Sequence, residues 1–423
     1  MRTTLKMGIG LVMVTGCAGE PIELCEPSET ETQLVIDAGV ACLGSGPCAG
    51  ATSLRAGQPD PRKALDLVFV AEGFRADELP RFRAHVEELL ESATQDHDGL
   101  VARAAPQVNA FLIELESQTN EVTDAETRDT ALGGCLVADE LSPAGTPMLT
   151  TRERDLPARL AAALVPQADA VVVIINSGHG RANATFDGSI FMNMADDGRT
   201  LSHELGHAVL GLGDEYSDTE RSHDGGVWTA FRFRYPGVAD VPQPNLSVDP
   251  SGARWRGLVD SAVEGGARYK RGIFHPTERC RMNRSSDPFC PVCAAEAAAF
   301  VLPFRGLNDG PPRCHLESTA SLSPFHAPLA FLQVPCTDAN GFSAMTVSLD
   351  GRTMWTLAPF LATGFPDPTG KSRSWTGSIT IGFEPPEEGS VPLDAGEHTV
   401  TVIAEDTLGA KTTFEHRFVA GRP

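Results

Sequence analysis

Basic residues are scarce in this sequence: 34 Lys and Arg stand against 56 Asp and Glu, a net charge of −22 over 423 residues. Nucleic acids and anionic membrane surfaces are held by clustered cations, so this balance excludes nucleic acid as a partner and gives no electrostatic route to a membrane. Past the first residues there is no apolar run near the ~20 residues that a membrane-crossing helix needs. Internal repeats are absent, and only three tyrosines occur. A helical bundle is also disfavoured, because 41 Gly and 31 Pro demand many turns. What is present is ordinary for a globular chain, with 41% hydrophobic and 21% charged residues. At about 150 residues per domain, the length allows two or three domains.

The N-terminus has the pattern of an export signal. Arg2 and Lys6 form a short basic region, and Met7 to Val14 an apolar stretch too short to span a bilayer. It ends in Val14-Thr15-Gly16-Cys17, which resembles the lipobox of bacterial lipoproteins, where the cysteine is acylated. The alternative is an ordinary signal peptide cut near Ala18. On the first reading residues 1–17 are a lipoprotein signal peptide and Cys17 is the lipidation site. The chain is then exported and lipid-anchored to the bacterial cell envelope (the outer membrane in a Gram-negative cell), or else secreted. Export permits disulfides, and setting Cys17 aside leaves nine of the 10 cysteines, an odd number.

Residues 18–61 are rich in Glu, Ser, Thr, Gly and Pro without a clear apolar period, and are read as a flexible tether stapled by Cys42 and Cys48. Regular structure is predicted from Leu65–Ala71, a buried strand. A helix follows over Ala76–Ala93, with Leu79, Phe82, Val86, Leu89 and Leu90 at helical spacing. Further strands are predicted at Phe111–Ile113, Ala170–Ile175 and Ser189–Met194, and helices at Leu156–Leu164 and Thr200–Leu210. This alternation predicts an α/β (α+β) domain over 62–310 with partly parallel pairing. The stretch from Asp214 to about Pro288 has turn signals too frequent to assign. From 311 to 423 short alternating strands, among them Ala344–Leu349, Ser378–Ile381, His398–Ile403 and Thr412–Phe418, predict an all-β, immunoglobulin-like sandwich.

The chemistry is concentrated on one predicted helix, in His203-Glu204-Leu205-Gly206-His207. Residues four apart project from nearly the same helix face, so His203 and His207 can each supply one nitrogen to a zinc ion. Glu204, beside the first ligand, can take the proton of a zinc-bound water as it attacks a carbonyl. That is the H-E-x-x-H pattern of metallopeptidases. Two partly buried structural histidines on an amphipathic helix are the bland reading. After the helix, Gly211 and Gly213 allow a sharp turn into Asp214, Glu215 and Tyr216. Zinc hydrolases take three protein ligands and keep one position open. Asp214 is the first candidate for the third ligand, Glu215 the alternative and His223 a more distant one, against a solvated acidic turn.

The run from His203 through Asp214-Glu215-Tyr216 resembles the zinc signature of the IgA-cleaving metallopeptidase family. So do Asp66-Leu67-Val68-Phe69-Val70-Ala71-Glu72-Gly73-Phe74, Cys280-Arg281-Met282 and Cys290-Pro291-Val292-Cys293, so that the resemblance covers about 65–300. It implies a metzincin-like zinc endopeptidase with His203 and His207 as ligands to one catalytic ion and Glu204 as base. It further implies Met282 in the tight turn beneath the metal, although the zinc segment is one residue longer than the usual metzincin spacing. A β-rich N-terminal domain often found in the family has no counterpart beyond the tether. The family's name does not imply that immunoglobulin is the substrate; a protein or peptide is expected.

Smaller signals are weighed beside this. The strand Ile190–Met194 is placed where metzincins bind an extended substrate at a sheet edge, or is a plain core strand. Tyr216 and Tyr269 are candidate oxyanion donors. Cys290 and Cys293 are expected to be disulfide-bonded, with Cys280 or Cys135 involved, since a second zinc site would want two Cys pairs and one is visible. Cys314 and Cys336 are expected to staple the β domain. Two other functions stay open: a non-catalytic surface-binding protein on a peptidase scaffold, and a zinc amidase acting on cell-wall material.

Overall fold

The computed structural model describes residues 31–120, 122, 129–137, 147–185, 188–217, 243–305, 311–314, 318–322, 329–338, 342–357, 374–382, 391–392, 396–406 and 409–420. The signal segment with Cys17, and His223, lie outside the described residues. The chain is mixed α and β, with strands predominating.

The larger part is built on an eight-stranded sheet. Its strands are β1 (Leu34–Asp37), β2 (Val40–Leu43), β3 (Cys48–Arg55), β4 (Leu65–Glu72), β5 (Val108–Ile113), β8 (Ala170–Ile175), β9 (Asn183–Ala184) and β10 (Ser189–Asn193), in the order β1-β2-β3-β5-β4-β8-β10-β9. The hairpin β6 (Gly134–Val137) and β7 (Met148–Thr151) stands apart. Strands β5, β4, β8 and β10 run parallel. Their side chains alternate between two cores, as expected of parallel strands covered on both faces. Leu67 and Phe69 of β4 and Val172 and Ile174 of β8 point into one core with helices α1 (Leu79–Gln95), α2 (Leu100–Ala104), α4 (Gly198–Ala208) and α5 (Pro291–Val301). Val68, Val70, Val171 and Val173 point into the other, where α3 (Leu156–Leu164) packs. The apolar runs were readable because both faces are buried.

Helix α4 is placed by its own sequence and by one close approach. Asp197 caps it, accepting from the backbone N–H groups of Arg199 and Thr200 at 3.0 Å each. Its first residue, Gly198, lies against α1 so closely that a Cβ there would sit 2.6 Å from Ala93 Cα. Leu201 and Leu205 are fully buried beneath it.

Three expectations are corrected. Residues 34–55 are three strands rather than tether, and β3 pairs antiparallel with β5 to extend the main sheet. Short two-sided strands separated by Ala38-Gly39 and Gly44 carry too few residues to show a period. The Cys42–Cys48 disulfide closes the second of these turns. Strand β10 is buried throughout and is not a bare edge, because β9 pairs with Ile190 and Phe191 on its outer side. The helix expected from Thr200 begins two residues earlier at the Asp197 cap.

Towards the C-terminus two further sheets form. One contains Arg313–Cys314, Ser318–Leu322, Leu329–Thr337, Ser374–Gly382 and Val391–Pro392; the other orders Arg352–Leu357, Phe342–Leu349, Gly396–Asp406 and Lys411–Ala420. Cys336 of the first, bonded to Cys314, is buried in one cluster with Phe342, Met345, Val347 and Val400 of the second. Among the described residues no helix is long and apolar enough to cross a membrane.

Candidate metal centre

Helix α4 presents His203 and His207 on one face, with Nε2 atoms 3.2 Å apart. Each ring is anchored through its other nitrogen: His203 Nδ1 is 2.8 Å from the Arg281 carbonyl and His207 Nδ1 is 2.7 Å from the Leu212 carbonyl. A carbonyl only accepts, so both Nδ1 atoms carry hydrogen and both Nε2 atoms turn lone pairs toward each other. The turn after the helix adds a third. Asp214 Oδ1 lies 3.1 Å from His207 Nε2 and 3.4 Å from His203 Nε2, and this buried oxygen has no hydrogen-bond partner among the described residues. Three lone pairs converging in a half-buried space repel unless a cation sits between them.

A metal ion fits that demand. Ligands each 2.0–2.1 Å from a tetrahedral ion stand about 3.3 Å from one another, which matches the observed triangle. In the metal-free chain a proton takes the place. Burial disfavours charge on His207, but the Asp214 carboxylate more than offsets this and raises its pKa to about 9. Asp214, against its own burial, is held far below the carboxylate range by the two imidazoles. A metal ion at this point would therefore compete with a proton for His207 Nε2 at every pH below about 9. Metal affinity is expected to rise with pH up to that point and then level, with about one proton released per ion at neutral pH. Calorimetry in buffers of different ionisation enthalpy measures that proton; its absence would mean that His207 is already neutral before the ion binds.

Glu204 is 5% exposed, and burial raises its pKa while the adjacent imidazoles pull it down. Its carboxylate oxygen lies within 4.8 Å of the ligand atoms of both histidines. Tyr216 is brought to the same place. Its hydroxyl accepts from Arg181 Nη1 at 3.3 Å, and burial together with neighbouring Asp214 pushes its pKa well above the usual phenol range. Tyr269 packs instead against the small cluster of Leu246 and Ile273. Arg181, which also pulls down the Glu204 pKa, has no signature in the sequence, because it stands 22 residues before His203 in a segment without a pattern.

The floor of the site is the segment around Met282. Met282 is fully buried against Gly206, where an added Cβ would meet its Sδ at 2.7 Å. Its carbonyl accepts from the Glu215 N–H at 2.8 Å. The adjacent Arg281, 2% exposed, forms a two-pronged ion pair with Asp96 just after α1, with Nη2 2.8 Å from Oδ1. Arg281 thus positions the carbonyl that orients His203.

Glu215, the alternative third ligand, points elsewhere. Its Oε1 lies 3.3 Å from Cys293 Sγ and 3.8 Å from Cys290 Sγ. Those two cysteines and Cys280 are free thiols, whereas Cys135 is disulfide-bonded, which corrects the expected bonding of Cys290 and Cys293. Spacing identifies residues that share a helix face, but it does not pair cysteines brought together by the fold.

No protein-family model matches the sequence, and no curated protein matches it. Solved structures with some likeness include the fibronectin(III)-like modules of Clostridium thermocellum CbhA, 14% identical, covering 26% of this chain and 47% of that one, at a TM-score of 0.16. Another is a catalytically inactive OgpA from Akkermansia muciniphila in complex with an O-glycopeptide substrate, 11% identical, covering 86% of this chain and 95% of that one, at a TM-score of 0.29. A third is a β-glucosidase from Listeria innocua in complex with glucose, 11% identical, covering 88% and 48%, at a TM-score of 0.17. This chain spans about half the length of the first and third of these. At such scores the likenesses carry no weight for fold or function.

Proposed function

We propose that this chain is an exported, zinc-dependent endopeptidase of metzincin type, similar to the IgA-cleaving metallopeptidases. The convergence of His203 Nε2, His207 Nε2 and Asp214 Oδ1 on one half-buried point, each nitrogen oriented by a backbone carbonyl, carries the reading. These three atoms would hold the ion. Zinc bound there supplies Lewis acidity, which makes water more acidic and polarises a scissile carbonyl. Glu204, beside both imidazoles and kept from bulk water, takes the proton of the attacking water and returns it to the leaving amine. Tyr216 stays protonated through the neutral range, so its hydroxyl is available as a donor to the developing oxyanion, with Arg181 fixing its place. Met282 packs the apolar underside of the histidine helix. The C-terminal sheets are read as an immunoglobulin-like module that positions substrate or spaces the catalytic part from a membrane anchored at Cys17.

The test is metal content together with digestion of a peptide library by the chain from Ala18. Bound zinc with cleavage of internal peptide bonds is expected. Zinc without internal cleavage would replace the peptidase with a surface-binding protein or a cell-wall amidase, and absence of zinc would leave His203 and His207 structural.

A further inference from the structure

We propose a second, structural zinc site formed by the thiolates of Cys280, Cys290 and Cys293 with the carboxylate of Glu215. All three sulfurs are buried, and the four ligand atoms lie within 4.8 Å of one another. Cys280 Sγ and Cys293 Sγ are 3.6 Å apart. Two sulfurs each about 2.3 Å from a tetrahedral zinc would stand about 3.8 Å apart. The spacing Cys290-x-x-Cys293 presents two sulfurs from one helix N-terminus, and Cys280 comes from the Met282 turn.

The surroundings suit thiolates and a cation. The Cys290 N–H donates to Cys280 Sγ at 3.3 Å, and Cys290 and Cys293 sit at the cap and third position of α5, where the helix end favours negative charge. Glu215 is 1% exposed, and among the described residues no Lys or Arg pairs with it. Asn245 Nδ2 donates to its Oε1 at 2.9 Å, and His275 Nδ1 stands 3.4 Å from its Oε2. Neither that Oε2 nor His275 Nδ1 has a hydrogen-bond partner among the described residues. A buried carboxylate whose ionisable neighbours are three thiols and His275 is costly to keep charged without a cation. A disulfide between two of the sulfurs would leave that carboxylate and one thiol stranded. Elsewhere the described cysteines are disulfide-bonded, so this trio is set apart within one chain.

Such an ion would pin the loop of the first site. Glu215 follows Asp214 directly, and Cys280 precedes Met282 by two residues. The second site would therefore hold the Asp214 turn to the floor under the histidines. It is formed by other residues and stands even if the catalytic reading fails.

The experiment is metal analysis of the native chain, of His203→Ala/His207→Ala and of Cys290→Ser/Cys293→Ser, each purified without chelator. About two zinc ions are expected in the native chain and about one in the histidine variant. If the cysteine variant fails to fold, cobalt substitution of the histidine variant decides instead. An intense thiolate-to-cobalt charge-transfer absorption supports the site, and spectra lacking it overturn it. A disulfide within the trio, found by mass mapping of the unreduced chain, also overturns it. A single zinc lost in the histidine variant would refute this site alone; a single zinc retained there would refute the catalytic one.

Discussion

Replacing Glu204 with Gln is expected to lower kcat/KM by about 10²–10⁴-fold while leaving zinc content unchanged. Gln preserves size and can still hydrogen-bond, but its neutral amide cannot accept the proton of an attacking water. The histidine rings and Asp214 keep their geometry, since their anchors are the carbonyls of Arg281 and Leu212 and the turn after the helix. The loss should fall on kcat more than on KM, because the proposed role of Glu204 lies in the reaction and not in binding. Steady-state kinetics on a cleaved peptide, with metal analysis of the same preparation, measures both parts. Native activity in the Gln chain would remove Glu204 from the mechanism, whereas loss of zinc would recast it as part of the metal's support.

Asp96→Ala is expected to destabilise the chain by about 3–5 kcal/mol, because it strands the buried Arg281 guanidinium. That group is nearly wholly enclosed, donates two-pronged to Asp96 and through Nε to the Asp287 carbonyl, and lies 5.2 Å from the centre of the Phe289 ring. Removing the carboxylate leaves the guanidinium without its counter-charge. Because the Arg281 carbonyl orients His203, zinc affinity should fall as well. Replacing both partners, Asp96→Leu with Arg281→Met, should recover most of the stability, since the penalty belongs to the unpaired charge. Denaturant unfolding of the three chains measures this. A loss below about 1 kcal/mol for Asp96→Ala would show that the pair is effectively solvated.

What depends on near neighbours is legible in the order of residues alone. The interval of four between His203 and His207 places both imidazoles on one helix face wherever that helix packs. The glycines after the helix turn the chain so that Asp214 follows within reach. The runs Leu65–Ala71 and Ala170–Ile175 announce doubly covered strands because both faces need apolar side chains. Where Asp214 and Glu215 point is visible only in three dimensions. The two differ by one position, and the turn sends the first to the histidines and the second to the cysteines. Only the tertiary structure showed that Cys280 meets Cys290 and Cys293 as free thiols, that Asp96 holds Arg281, and that residues 34–55 add strands to the main sheet. It also placed β9 beside β10, where it pairs with Ile190 and Phe191. Apart from β9 with β10, those pairings join residues far apart in the chain, and the energies that choose them come from burial and charge in three dimensions, which leave no period in the order of residues.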